Sequence, residues 1–138
     1  MRIDDRIVGE IALGLLVLVG VGQGDEHSDV RYVAGKIRDA RLFPGDQGRP
    51  MDRSVGDVDG AVLVVSQFTL YGDLRKGRRP SFDAAATPDA ARVRYEDLVR
   101  ELRAVPLRVA TGEFQATMRV ELANDGPVTI LIDSNRQF

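Results

Sequence analysis

Ala61-Val62-Leu63-Val64-Val65-Ser66-Gln67-Phe68-Thr69-Leu70 is the stretch on which the fold turns. Its first five residues are all apolar and three are valine, which suits a buried β-strand. Polarity then arrives abruptly, because Ser66, Gln67 and Thr69 follow without any spacer. A strand that ends this way delivers hydroxyl and carboxamide groups to its C-terminal end. Two uses are open to them: satisfying backbone groups where the strand leaves the sheet, or holding a polar substrate there.

The flanks extend the pattern. Leu15-Leu16-Val17-Leu18-Val19 reads as a second buried strand, closed by the turn Gly20-Val21-Gly22-Gln23-Gly24-Asp25. Those glycines lack the dinucleotide-binding spacing and no Gly-Lys-Ser/Thr follows, so a flexible turn is the better reading. Ser28 is placed to cap a helix whose residues Val30, Val33, Ala34, Ile37 and Ala40 share one face, ready to lie on a sheet. From Leu42 to Asp59, Pro44, Gly45, Gly48, Pro50 and Gly56 give turn chemistry, with a short extended piece within Arg49 to Ser54. Thr87 followed by Pro88 starts a second helix, with Ala91, Tyr95, Leu98, Val99 and Leu102 on one face. Leu107-Arg108-Val109 reads as a strand. Ala116, Met118, Val120 and Leu122 alternate with Thr117, Arg119, Glu121 and Ala123 as a half-buried one. Asn124-Asp125-Gly126-Pro127 turns the chain, and Val128 to Ile132 returns it as another strand. Strands and helices in this order predict an α/β protein with a mixed sheet.

At 138 residues and 43% apolar, the chain is sized for one domain spanning 1–138. It contains no cysteine, which excludes disulfides, thiolate catalysis and cysteine-ligated metal, and fits a cytoplasmic protein. The apolar stretch Ile11 to Val21 is interrupted by Gly14 and Gly20 and is too short to cross a bilayer of about 30 Å as a helix. No membrane association is expected. Lys plus Arg number 19 against 21 Asp plus Glu, so total charge does not point to nucleic acid. Arg75, Lys76, Arg78 and Arg79 nevertheless form a basic run around Gly77, either a solvated loop or a phosphate contact.

Catalytic side chains are scarce. The one histidine, His27, has no nucleophile or acid near it in sequence and suits a surface or capping role. With one histidine and no cysteine, neither a metal site nor a cofactor is expected. Ser66 and Thr69 are weak nucleophiles without an adjacent base, whereas Gln67 can fix a substrate and backbone N–H groups at the strand exit can stabilise an oxyanion. Gly126-Pro127 is either an ordinary hairpin turn or, with a cis bond, a pair of parallel carbonyls able to accept from an ammonium group.

These two segments, with Gly77-Arg78-Arg79-Pro80-Ser81-Phe82 between them and Thr111-Gly112-Glu113-Phe114 with Met118 after, resemble the motifs of D-aminoacyl-tRNA deacylases. Similarity runs from about Arg6 to Ile132, and two separated multi-residue motifs in order make it specific. The resemblance implies mainly antiparallel sheets with two helices on one side, a β/β/α layered sandwich. It also implies hydrolysis of the ester of D-aminoacyl-tRNA, with glycyl-tRNA as a further substrate.

In the family, each subunit of a homodimer inserts its Gly-cisPro turn, here Gly126-Pro127, into the partner's site. There the carbonyls hold the substrate ammonium and crowd out an L side chain. Ser66, Gln67, Phe68 and Thr69 match the segment beside the scissile ester. Phe114 and Met118 match residues lining the pocket of the terminal adenosine, and Phe82 joins the substrate-binding set. The family's hydrolysis is thought to rely on the adenosine 2′-hydroxyl and backbone groups, which agrees with the absence of a side-chain acid-base pair. Arg75, Lys76, Arg78 and Arg79 become contacts for acceptor-stem phosphates.

One departure is expected to matter: family members usually begin with a further strand, roughly ten residues long, before the segment matching Met1 to Arg6. Either the start codon is placed too late or the strand is truly lacking, which would leave a sheet edge unpaired and weaken dimerisation. The competing reading is therefore a non-catalytic nucleic-acid or nucleotide-binding module of the same fold.

Overall fold

The computed structural model describes residues 1–138. Its centre is a three-stranded parallel sheet of β3 (Gly14–Val19), β4 (Ala61–Ser66) and β5 (Arg108–Thr111), with β4 in the middle. Before it runs a short antiparallel ribbon, β1 (Arg2–Ile3) with β2 (Arg6–Ile7). Helix α1 (His27–Asp39) connects β3 to β4, and α2 (Pro88–Arg103) connects β4 to β5. A helix in each connection lets the next strand enter from the same end as the last, so the central ladders are parallel.

The expected class, mixed α/β with two helices on one side, is what the chain adopts. Antiparallel pairing lies outside the central sheet, in the β1–β2 ribbon and the bridges Arg2–Arg119, Gly22–Ala85, Phe43–Arg53 and Asp73–Ser81.

Alternation along β4 explains the layers. Val62 and Val64 face the helices, packing with Val30, Ala34 and Ile37 of α1 and Tyr95, Leu98, Val99 and Leu102 of α2. Leu63 and Val65 face the other way, onto Met1, Val8, Ile11, Leu16, Met118 and Val120. The strand is thus buried on both faces, as its unbroken apolar run requires.

Three local expectations need correction. Ser28 does not cap α1; Glu26 does, in a capping box in which its N–H donates to Asp29 Oδ2 at 2.7 Å. Two acidic side chains replace the Ser/Thr and Glu of the usual signature. Residues 116–122 form no ladder strand: only Arg119 is bridged, to Arg2, although Ala116, Met118 and Val120 are more buried than Thr117, Arg119 and Glu121. Residues 128–132 form none either. The period of two is present in 116–122, but a strand also needs hydrogen-bonded pairing along a neighbour, and neither segment makes a ladder in this chain.

Candidate active site

The parallel register brings three strand ends to one edge, Val19 of β3 standing opposite Ser66 of β4 and Thr111 opposite Val64. In parallel sheets, ligands bind outside the carboxyl ends of the strands. Every chemically active group of the β4 motif leaves the sheet there. Gln67 is the hinge: its N–H donates to the Val19 carbonyl at 2.7 Å, extending the β3 pairing by one step. Its carbonyl accepts from Leu70 N at 3.2 Å. The chain then tightens into a 3₁₀ turn, Phe68–Tyr71, closed by Gly72 N on the Thr69 carbonyl at 3.0 Å. The strand itself stops at Ser66. The N–H groups of Phe68 and Thr69 open that turn and have no carbonyl within it to bond.

Aromatic packing shapes the surroundings. Phe68 is exposed and meets Phe82 edge to face, with centroids 5.0 Å apart. Tyr71 lies where a Cβ on Gly20 or Gly22 would meet its ring at 3.0 or its hydroxyl at 2.5 Å, so two bare backbone positions in the β3 turn make room for it. Burial raises the Tyr71 phenol, and Asp25, Asp133 and Asp29 push it further. On the β5 side, Tyr95 of α2 donates its hydroxyl to the Val64 carbonyl at 2.9 Å, an oxygen that Gly112 N also reaches at 3.3 Å. The Tyr95 ring packs on Phe114 at 5.9 Å. Met118, on the opposite face of the sheet, touches the same segment through its Sδ, which accepts from Glu113 N at 3.4 Å.

Of the residues singled out in the sequence, Ser66, Gln67, Phe68, Thr69 and Phe82 are brought together by these contacts. Phe114 is fixed to β4 through Tyr95 on the helix side of the sheet, whereas Met118 packs on the opposite face, with Leu63 and Val65. The basic run sits on a loop closed by Asp73 and Ser81, whose backbones exchange hydrogen bonds of 2.8 and 2.9 Å. Arg75 is folded back onto Asp73, two nitrogens donating at 2.9 and 2.8 Å, and the guanidinium holds that carboxyl at about 2. Lys76, Arg78 and Arg79 are exposed.

Gly126-Pro127 stands on its own. Its peptide bond is cis, both residues are exposed, and the bonds of the turn are local. Asn124 Oδ1 accepts from Val128 N at 3.0 Å and its Nδ2 donates to Thr129 Oγ1 at 3.1 Å. Gly126 has φ +146°, and a Cβ there would lie 3.0 Å from Val128 N.

His27 is the first residue of α1 and faces α2, 3.1 Å from Glu101 and 3.7 Å from Asp97, so it ties two helices together. No three His, Asp or Glu side chains converge as a metal-binding set. A cavity of about 340 Å³ is at the opposite end of the strands, between Glu10–Leu13, Asp59 and Arg108–Ala110. Volume favours that end; the polar strand exit, the open N–H groups and the aromatic corner favour the carboxyl edge, where bond chemistry has the groups it needs.

Sequence reasoning missed Arg92, whose guanidinium lies over Phe114 at 4.6 Å. Its position one helical turn before Tyr95 was the available signal.

A mixed α/β domain with a polar strand exit, an aromatic corner and a basic loop is the class of protein defined so far. No helix is long and apolar enough to cross a membrane. The family model described as D-Tyr-tRNA(Tyr) deacylase matches residues 1–133. The chain is 59% identical over 138 residues to a D-aminoacyl-tRNA deacylase of Koribacter versatilis (strain Ellin345), covering all of this chain and 92% of the relative. It is 63% identical over 133 residues to one of Heliobacterium modesticaldum (strain ATCC 51547 / Ice1), covering 96% and 88%. Among solved structures, it resembles the c-Myc DNA Unwinding Element Binding Protein with TM-score 0.88 and 33% identity, over 94% of this chain and 87% of that one. A probable eukaryotic D-amino acid tRNA deacylase shares the fold, with TM-score 0.62 and 16% identity over 75% and 76%. The chain belongs to the D-Tyr-tRNA(Tyr) deacylase family.

Proposed function

We infer that this protein hydrolyses the ester bond of D-aminoacyl-tRNA, releasing the D-amino acid and free tRNA. The observation that carries the reading is the polar Ser66–Thr69 segment, where β4 passes into the Phe68–Tyr71 turn at the carboxyl edge of the sheet, with the Phe114 corner beside it, in a chain of this family. In this reading Ser66, Gln67, Phe68 and Thr69 lie beside the ester. The backbone N–H groups that open the turn stabilise the oxyanion as water adds to the carbonyl carbon. The ester C–O bond then breaks, and the terminal ribose leaves as a free hydroxyl. The neighbouring 2′-hydroxyl of that ribose assists. A side-chain nucleophile is disfavoured, because the only histidine is held by Glu101 and Asp97 between the helices. Positioning of an already activated ester supplies much of the acceleration.

Phe82, Phe114 and Met118 line the pocket of the terminal adenosine, and Arg75, Lys76, Arg78 and Arg79 meet acceptor-stem phosphates. Arg75 is the weakest of the four for this purpose, since Asp73 already neutralises it. The protein works as a homodimer in the cytoplasm, with Gly126-Pro127 of one subunit receiving the substrate ammonium in the other and rejecting L side chains; glycyl-tRNA, without a side chain, also fits. A second reading, a nucleic-acid-binding module without catalysis, is favoured by the likeness to the 33% identical c-Myc DNA Unwinding Element Binding Protein.

The test is deacylation of D-Tyr-tRNA and L-Tyr-tRNA by the wild type and by Gly126→Val. Release of D-tyrosine alone by the wild type is expected, and absence of turnover with retained tRNA binding selects the second reading. In Gly126→Val a side chain is forced onto a φ of +146°, and D-over-L discrimination should fall or entry be blocked. Unchanged discrimination removes the turn from the mechanism.

A further inference from the structure

Arg92 lies in the second turn of α2, close to the carboxyl edge of the sheet because residues 84–87 are tied to the turn after β3: Gln23 N donates to the Ala84 carbonyl at 3.0 Å and Ala86 N to that of Val21 at 2.9 Å. Its guanidinium is laid on the Phe114 ring at 4.6 Å. Beneath it the stack continues without a break to the centre of the sheet: Phe114 on Tyr95 at 5.9 Å, and Tyr95 on the Val64 carbonyl at 2.9 Å. An arginine is usually mobile on a surface. This one is held by an aromatic platform that is itself anchored in the core.

Its charge is free. Elsewhere on α2, Arg94 and Arg100 have an acidic partner, meeting Asp97 at 3.2 and 2.8 Å, and Arg103 donates to the Val109 carbonyl at 3.0 Å. Arg92 has only the neutral Gln115 Oε1, at 3.5 Å. A guanidinium stacked by its face keeps its N–H edge for a ligand, and that edge suits the paired oxygens of a phosphate. Arg75 shows the contrast: it has a bidentate carboxylate in place and Arg92 has none.

We propose that Arg92, stacked on Phe114 and without a carboxylate partner, is a positioning residue that binds a phosphate of the tRNA 3′ end adjoining the terminal nucleoside. The proposal rests on the reading in which Phe114 lines the adenosine pocket. The contact fixes where the nucleoside sits and takes no part in bond breaking.

Two substrates separate this role from simple support of the Phe114 ring: D-Tyr-tRNA, and 3′-D-tyrosyl-adenosine, which has no phosphate. For Arg92→Gln we expect KM toward D-Tyr-tRNA to rise about fivefold to tenfold at low salt with kcat unchanged, the size of one exposed charge-assisted contact. KM toward the adenosine ester should stay as in the wild type, and Arg92→Lys should recover part of the loss. In parallel, binding of uncharged tRNA should lose about one unit of its log–log salt slope in Arg92→Gln. Equal losses on both substrates, or an unchanged salt slope, overturn the proposal. A wild type that cleaves neither ester while Arg92→Gln still loses that slope would sink the hydrolase reading and leave the phosphate contact standing.

Discussion

Burial holds the Asp25 carboxyl above its ordinary 3.8, and the N–H of Gly22, 2.7 Å from Oδ2, offsets only part of that. Asp29 and Asp133 act in the same direction as burial, and Arg94 opposes them. The folded state therefore keeps this proton to higher pH than the unfolded chain. In the window above 3.8 it binds more protons than the unfolded state, so the contribution of Asp25 to stability is lost as pH rises through its folded value. Asp25→Asn keeps an acceptor for Gly22 and removes the charge. Its Tm should exceed that of the wild type at pH 7 and converge on it at pH 3; a variant less stable at pH 7 would show that the ionised carboxylate is needed. The same residue shows why side-chain chemistry was only partly legible. Asp25 reads as one more turn residue in sequence, and its neighbours Asp29, Arg94 and Asp133 come from three separate segments.

Helix α2 is the element that sequence reasoning located best. Thr87 and Pro88 mark its start, and Tyr95, Leu98, Val99 and Leu102 are its buried face, all local signals. The Thr87 hydroxyl accepts from Ala90 N at 3.4 Å, a long cap bond. Thr87→Ala should cost about 1 kcal/mol or slightly less, read as a lower midpoint in urea with an unchanged slope; an identical midpoint would mean that Pro88 alone sets the start. β4 was legible for a related reason, since a run buried on both faces needs no partner to be recognised. The strands expected at 116–122 and 128–132 were not, because an apolar pattern is local and strand pairing is not. In the site, the polar strand exit at Ser66–Thr69 could be read from the sequence but its 3₁₀ turn could not, and the stack of Arg92 on Phe114 joins residues 22 positions apart and is a product of the tertiary fold.

At the scale of the molecule, the segment after Val120 is a part that one copy of the chain leaves uncovered. Leu122, Ile130 and Leu131 are 61%, 54% and 68% exposed. Apolar side chains in such density, beside backbone outside any ladder, suit burial against another copy. Light scattering should give twice the mass of one chain at micromolar concentration, and the double variant Ile130→Asp, Leu131→Asp should give the single mass; a wild type that stays at the single mass would remove the shared-site reading. The aromatic content adds a practical consequence. The protein has no tryptophan and three tyrosines, and each occupies a different district. Tyr32 lies under Lys36 and Arg136 near the C-terminus, Tyr71 against Gly20 and Gly22 beside the strand exit, and Tyr95 between Val64 and Phe114. Ultraviolet emission from this molecule is therefore wholly tyrosine light, and removing the phenols one at a time divides it into separate optical gauges of the tail, the turn and the core.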